Sequence, residues 1–134
     1  MKQREGTLPA CPCGSGIDYA QCCGSYHDGA NAPTAEALMR SRYSAYALAL
    51  EQYVLDTWHA GTRPAKLDLE DDRSTRWIGL DIKRHEQTGP ESATVEFVAR
   101  FKSAGRAHRL HEISRFVREE GRWYYVDGFF PEKN

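Results

Sequence analysis

Residues 111–128 read HEISRFVREEGRWYYVDG. Apolar and polar side chains alternate on either side of Glu120-Gly121. A Gly-containing turn between two such runs predicts a β-hairpin. With a two-residue turn, Phe116 lies opposite Tyr125 and Ser114 opposite Asp127. A four-residue turn changes the pairs but keeps the faces, because side chains along a strand repeat every two residues.

The same period holds upstream. RWIGLDIKRH (Arg76–His85), VEFVARFKS (Val95–Ser103), HRLHEISRFV (His108–Val117) and RWYYVDGFF (Arg122–Phe130) read as four strands, with Ala104-Gly105 as a further turn. Phe97 then faces Glu112 across a strand pair. One face collects Val95, Phe97, Ala99, Phe101, Leu110, Ser114, Phe116, Trp123 and Tyr125, and is expected to cover the core. Glu112 and Asp127 fall on it too, where apolar groups belong. The opposite face carries Arg100, Arg109, His111 and Arg115, diluted by Glu96, and reads as a solvated surface.

A buried carboxylate has to be paired or protonated. Two readings compete. Glu112 and Asp127 pair internally, with Arg40, Arg42 or a tyrosine hydroxyl. Or they stand in a pocket walled by Tyr43, Trp58, Trp77 and Tyr125, where they bind a polar ligand or serve as acid and base. His59 is a candidate partner for them, whereas parity turns His111 to the other face.

Ahead of the strands the period is helical. Thr34 is an expected N-cap, with Glu36 near the positive end of the helix dipole. Met39, Tyr43, Tyr46, Leu50 and Tyr53 recur at spacings of four and three, which is one apolar stripe. The pattern bends near Leu50, resumes to about Trp58, and ends at Gly61 and Pro64. Arg40 and Arg42 are expected to tie this helix to the sheet by ion pairs. Lys66–Ser74 reads as a charged loop. Helices followed by an antiparallel meander give an α+β fold, the helices packed on one face of a curved sheet.

The amino-terminal stretch has other chemistry. CPCGSGIDYAQCCG (Cys11–Gly24) holds all four cysteines of the 134-residue chain, in the pattern C-x-C, eight residues, C-C. A disulfide within either pair would close a strained ring. The start, MKQREGTLPACPC, lacks the apolar stretch of a secretory signal, so a cytoplasmic protein is expected. In a reducing compartment clustered thiols point to a metal. Zinc accepts four thiolates as a tetrahedron, and Cys11, Cys13, Cys22 and Cys23 are the candidate ligands, with His27 as a possible replacement for one of them. A redox dithiol or a disulfide scaffold fits less well. Gly14 and Gly16 permit the tight turns such a loop needs. A site closed by four protein ligands leaves no position for a reacting water, so catalysis by the metal is not expected. The net charge of -1 gives no general case for nucleic-acid binding. No apolar run is long enough to span a membrane.

CPCGSGIDYAQCCG resembles the SEC-C motif, the zinc knuckle of the SecA translocase tail. It ends in Cys-Cys where SecA-type versions end in Cys-His. APTAEALMRSRYSAYALALEQYVLDTWHAGTRP (Ala32–Pro64) and HEISRFVREEGRWYYVDG resemble the YchJ-like family of bacterial proteins. That resemblance implies a SEC-C zinc knuckle over residues 1–30 and an NTF2-like (cystatin-like) cone over 31–134, with no assigned activity. Two functions follow as expectations. The first is an adaptor that docks a protein partner through the knuckle, using Ser15, Ile17, Tyr19, Gln21 and Tyr26. The second is an NTF2-like small-molecule binder or enzyme built around Glu112 and Asp127. Sheets of this type often dimerise, so a homodimer is also expected. No Gly-rich phosphate loop, Ser-His-Asp order or HExxH motif is present, and a binding role is preferred over an enzymatic one.

Overall fold

The computed structural model describes residues 9–69 and 74–131. Residues 1–8 of the knuckle segment, 70–73 of the charged loop and 132–134 lie outside the described residues. The knuckle opens with a 3₁₀ turn, Tyr19–Gln21, followed by α1 (Cys23–His27). Two further helices, α2 (Ala35–Ala47) and α3 (Glu51–Asp56), precede four strands: β1 (Thr75–Gly89), β2 (Ser92–Ser103), β3 (Arg106–Glu119) and β4 (Arg122–Phe129). The strands form one antiparallel sheet in the order β1-β2-β3-β4. No helix among the described residues is long and apolar enough to cross a membrane.

The second and third hairpin turns have the expected residues at their centres. Ala104 and Gly105 have φ of 51° and 80°, and Glu120 and Gly121 have 52° and 82°. Positive φ at both central positions is the geometry whose twist matches that of the flanking strands. Phe97 pairs with Glu112, and Phe116 with Tyr125, as parity requires.

The pairing then departs from the expected register. Arg115 pairs with Asp127 and Ser114 with Gly128, because Val126 is an extra residue on β4. A β-bulge of one residue turns every later side chain to the opposite face. Asp127 therefore leaves the core face, contrary to the expectation from alternation. β1 is bulged as well, between Trp77 and Gly79 and between Ile82 and Arg84, and runs past the expected His85.

Helix α2 begins where its cap requires. Thr34 is extended, and its Oγ1 accepts a hydrogen bond from the Ala37 N–H at 3.0 Å. Glu36 in the first turn pairs with Arg40 at 3.3 Å. The helix ends at Ala47 with Leu48 as its C-cap, and the next residue, Ala49, adopts φ of 58°. Its N–H bonds to the Tyr46 carbonyl, and the Leu50 N–H to the Ala45 carbonyl. This is a Schellman ending, and it turns the chain into α3. Helix α3 ends at Asp56, short of the expected Trp58. The reason is backbone pairing: the Tyr125 N–H bonds to the Thr57 carbonyl at 2.9 Å and the His59 N–H to the Tyr125 carbonyl at 2.7 Å. That segment extends along β4 instead of coiling.

The apolar stripe alone does not describe α2. Leu38, Met39, Ser41, Arg42, Tyr43, Ser44 and Ala45 are all buried. One side of the helix meets the sheet and the other meets the knuckle and α3. A single hydrophobic cluster accordingly contains Cys11, Cys13 and Cys23 together with Leu38, Met39 and Tyr43 of α2 and Val95, Phe97 and Phe116 of the sheet.

The left-handed conformation at Ala49 costs a residue with a Cβ about 1–2 kcal/mol, and glycine occupies it freely. Ala49→Gly is expected to raise the thermal midpoint by a few degrees, as read by circular dichroism. An unchanged or lower midpoint would show that the Schellman ending is not strained.

Candidate metal centre and cavity

Two 3₁₀ or turn segments bring the thiols together. The Cys11 N–H bonds to the Ile17 carbonyl at 3.0 Å, closing the first loop, and Gly14 and Gly16 sit within it at φ of 81° and 84°. The 3₁₀ turn at Tyr19–Gln21 and helix α1 then place Cys22 and Cys23 opposite. The four Sγ atoms all lie within 4.8 Å of one another. Cys13 and Cys22 are 3.7 Å apart. Four sulfurs at about 2.3 Å from one ion would stand about 3.8 Å apart, so this donor set fits a tetrahedral metal. Cys11, Cys13 and Cys23 are buried, and none of the four forms a disulfide.

Electrostatics favour deprotonation at one end of the cluster. Hydrogen bonding with Cys23 pushes the Cys13 thiol well down, against the effect of burial. The same contact, with burial, pushes the Cys23 thiol up. Four adjacent thiols cannot all ionise without a cation among them.

The surrounding groups come chiefly from α2. The Arg40 guanidinium donates to the Cys13 carbonyl at 3.2 Å and lies 3.9 Å from the Cys13 sulfur. Ser44 Oγ lies 3.5 Å from the Cys11 sulfur, and Ser15 Oγ lies 3.2 Å from that of Cys22. His27 takes no part in the sulfur cluster. Its Nε2 donates to the Ser41 carbonyl at 2.8 Å, and its Nδ1 accepts from the Tyr19 hydroxyl at 2.6 Å. Both ring nitrogens are thus engaged elsewhere. Tyr19 is consequently half-buried structure rather than free surface, while Ile17 is 49% exposed.

On the sheet side of α2 lies a cavity of about 240 Å³. Tyr43 and Tyr46 of α2, Trp77 of β1 and Phe97 of β2 form apolar walls, and Arg42, Glu112 and Tyr125 supply polar atoms. Of the residues expected in a pocket, Glu112, Tyr43, Trp77 and Tyr125 line this space. Trp58 stands behind it, edge-on to Tyr125 at 5.0 Å between ring centroids. Asp127 is absent from it. The β4 bulge points Asp127 outward, where both carboxylate oxygens accept from Arg115 at 2.7 Å. That ion pair holds the Asp127 carboxyl below its usual range.

Glu112 stays on the cavity side. Ser114 Oγ donates to its Oε2 at 2.7 Å and the Tyr125 hydroxyl donates to the same atom at 3.1 Å. Burial and this carboxylate both push the Tyr125 hydroxyl up, so it remains a donor. Gly128 makes the room. A Cβ there would overlap Glu112 Oε2 and stand 2.6 Å from Cδ.

Arg42 does not form the ion pair with the sheet that was expected of it. It is 3% exposed. Its Nη1 donates to the Val54 carbonyl and to Thr57 Oγ1, each at 2.8 Å. Its guanidinium carbon lies 4.5 Å from the centroid of the Tyr125 ring and 5.1 Å from that of Trp58. A charged residue in a stripe of aromatics was the available signal.

Two substitutions separate the carboxyls. Asp127→Asn removes an exposed pair and is expected to cost no more than about 1 kcal/mol in urea unfolding. Gly128→Ala is expected to swing Glu112 away and cost about 1 kcal/mol for each hydrogen bond lost. A silent Gly128→Ala would mean that the carboxyl has an equally good alternative position.

Comparison with known proteins follows the same division of the chain. Residues 34–128 match the family model described as YchJ, middle NTF2-like domain, and residues 10–25 match that of the SEC-C motif. A UPF0225 protein of Chromobacterium violaceum is 56% identical, covering 96% of this chain and 98% of its own. One of Cupriavidus metallidurans is 58% identical, covering 98% and 96%. Among solved structures, a SEC-C motif containing protein from Rhodopseudomonas palustris superposes with a TM-score of 0.80 at 35% identity, over 91% of this chain and 98% of the other. A second, from Psychrobacter arcticus, gives 0.75 at 31% identity, over 92% and 84%. An α+β fold with an NTF2-like domain, a gathered set of four amino-terminal thiols and these relatives make the chain a member of the YchJ-like UPF0225 family of SEC-C motif proteins.

Proposed function

We propose that the protein is a cytoplasmic small-molecule binder whose sheet–helix cavity is held in shape by a structural zinc ion. The observation that carries this reading is the cavity itself: space of about 240 Å³ between aromatic walls, containing a buried guanidinium and a carboxylate that make no ion pair with each other. A core built only for stability would fill such space or neutralise those charges directly.

In this reading Cys11, Cys13, Cys22 and Cys23 hold the zinc. The ion supplies cross-linking and charge neutralisation rather than chemistry on a substrate. Arg40 and Ser44 carry the link onward, because they touch the cluster while Arg42, Tyr43 and Tyr46 of the same helix face the cavity. Catalysis has no support from paired acid and base groups, since Asp127 faces away from Glu112.

Docking of a protein partner through the knuckle is a second reading, favoured by the exposure of Ile17 beside the metal loop. Tyr19 does not serve such a surface, because its hydroxyl is committed to His27. Ile17→Asp, with metal retained, is expected to weaken partner capture if that reading holds.

Native mass spectrometry beside the denatured mass is the direct test of the first reading. One zinc and an additional small-molecule mass are the expected result. A metal-free protein four hydrogens lighter would mean two disulfides and would remove the zinc from the account. Cys13→Ser is expected to release the metal and lower the thermal midpoint by about 10 °C or more, since binding energy at such sites is folding energy. A variant that keeps its midpoint without metal would show that the ion is dispensable to the fold.

A further inference from the structure

Arg42 is a buried cation whose hydrogen bonds go only to uncharged groups. Its charge is held almost wholly out of water, a cost that interactions within the protein have to offset. Two hydrogen bonds, both from Nη1, go to uncharged oxygens of Val54 and Thr57. The rings of Trp58 and Tyr125 stand on it at 5.1 and 4.5 Å. Such stacking favours a cation but fixes its plane, and it leaves the planar fork as the part that can still accept an anion. Among the described residues no carboxylate forms an ion pair with it. Burial accordingly pulls the guanidinium down, and Glu112 opposes that only through space.

The cavity limits what the anion can be. Among the described residues Arg42 is the only lysine, arginine or histidine in its lining. Glu112 is in the same space and would repel a second negative charge, so a phosphate dianion is poorly matched. A monoanionic carboxylate matches the single fork, which binds two oxygens at once. Glu112 meanwhile offers acceptor capacity, because both of its hydrogen bonds fall on Oε2. Tyr125 spans the two charges, with its ring under Arg42 and its hydroxyl on Glu112. A ligand reaching both would carry a hydrogen-bond donor close to its carboxylate. The remaining walls are Tyr43, Tyr46, Trp77 and Phe97, which suit a flat apolar body. The volume lies below the ~300–1,000 Å³ of drug-sized sites, so the ligand is small, with about a dozen non-hydrogen atoms.

Resting on the small-molecule reading above, we propose that the cavity binds a small aromatic or apolar carboxylic acid bearing a hydroxyl or amino group near its carboxylate. Arg42 takes the carboxylate, and Glu112, oriented by Ser114 and Tyr125, accepts from the neighbouring donor. Arg42 is thus the residue that determines specificity for an acid over its neutral analogue.

The zinc-loaded full chain is titrated with four probes: 3-phenyllactate, 3-phenylpropionate, 3-phenylpropanamide and phenethylamine. Tryptophan fluorescence reports binding through Trp77 in the wall, and calorimetry checks it. The expected result is that 3-phenylpropionate binds at least tenfold more tightly than its amide, and 3-phenyllactate severalfold more tightly again. Glu112→Gln is expected to remove the gain from the hydroxyl while keeping the preference for acid. Arg42→Lys is expected to remove most of the preference for acid. If that variant does not fold, the comparison of acid with amide on the unaltered protein still decides. Equal binding of acid and amide would overturn the carboxylate assignment and leave the small-molecule reading standing. Tightest binding of phenethylamine would make Glu112 the anchor and also overturn it. No binding of any probe at millimolar concentration would count against both readings.

Discussion

Helix α2 has no free side, and that constraint organises the molecule. A surface helix buries one stripe and wets the rest. This one is covered by the sheet on one side and by the knuckle and α3 on the other, so even Ser41, Arg42 and Ser44 are buried. Each polar group on it therefore needs a partner inside the protein. Ser41 finds Leu38 and Tyr53, Ser44 finds a cysteine sulfur, and Arg42 finds a carbonyl, a hydroxyl and two aromatic rings. The knuckle is consequently part of the main packing. It shields the outer side of α2 and shares its hydrophobic cluster.

The same enclosure connects the two chemical features. Cys11 and Cys13 touch Ser44 and Arg40, and Arg42 lies between these in sequence and faces the cavity. A helix residue and its neighbours two positions away project in different directions. Four thiols and a ligand-sized space are thus placed on opposite sides of one rigid element. Loss of order in the sulfur cluster has a short path to the cavity wall, through a helix with no spare contacts.

Much of this was legible because strands and turns obey parity. The meander, the two positive-φ turns and the Phe116–Tyr125 and Phe97–Glu112 pairs follow from alternation and the positions of Gly105 and Gly121. The cysteine spacing likewise exposed the thiol cluster, since few other arrangements need four sulfurs in one short loop. What escaped was local irregularity and environment. Nothing in the run Tyr124-Tyr125-Val126-Asp127 marks Val126 as an inserted residue, and parity beyond it fails. Arg42 was expected to pair with an acid of the sheet, but its Nη1 bonds to the Val54 carbonyl and Thr57 Oγ1 instead, which helical periodicity does not foretell. Helical periodicity carried the second segment to about Trp58, but backbone bonds to Tyr125 draw that segment along the sheet edge.

The bulge at Val126 sorts two acidic groups with a single residue. Ahead of it the strand keeps Tyr125 toward the cavity, and beyond it Gly128, not a carboxylate, comes to lie beside Glu112. Had the same residues run on as a regular strand without the bulge, Asp127 would have taken the glycine's station opposite Ser114 and crowded Glu112 with a second negative charge. Two carboxyls so close would share a proton, as paired acids in hydrolytic enzymes do. One bulge thus decides whether this face of the sheet carries a single acid or two side by side.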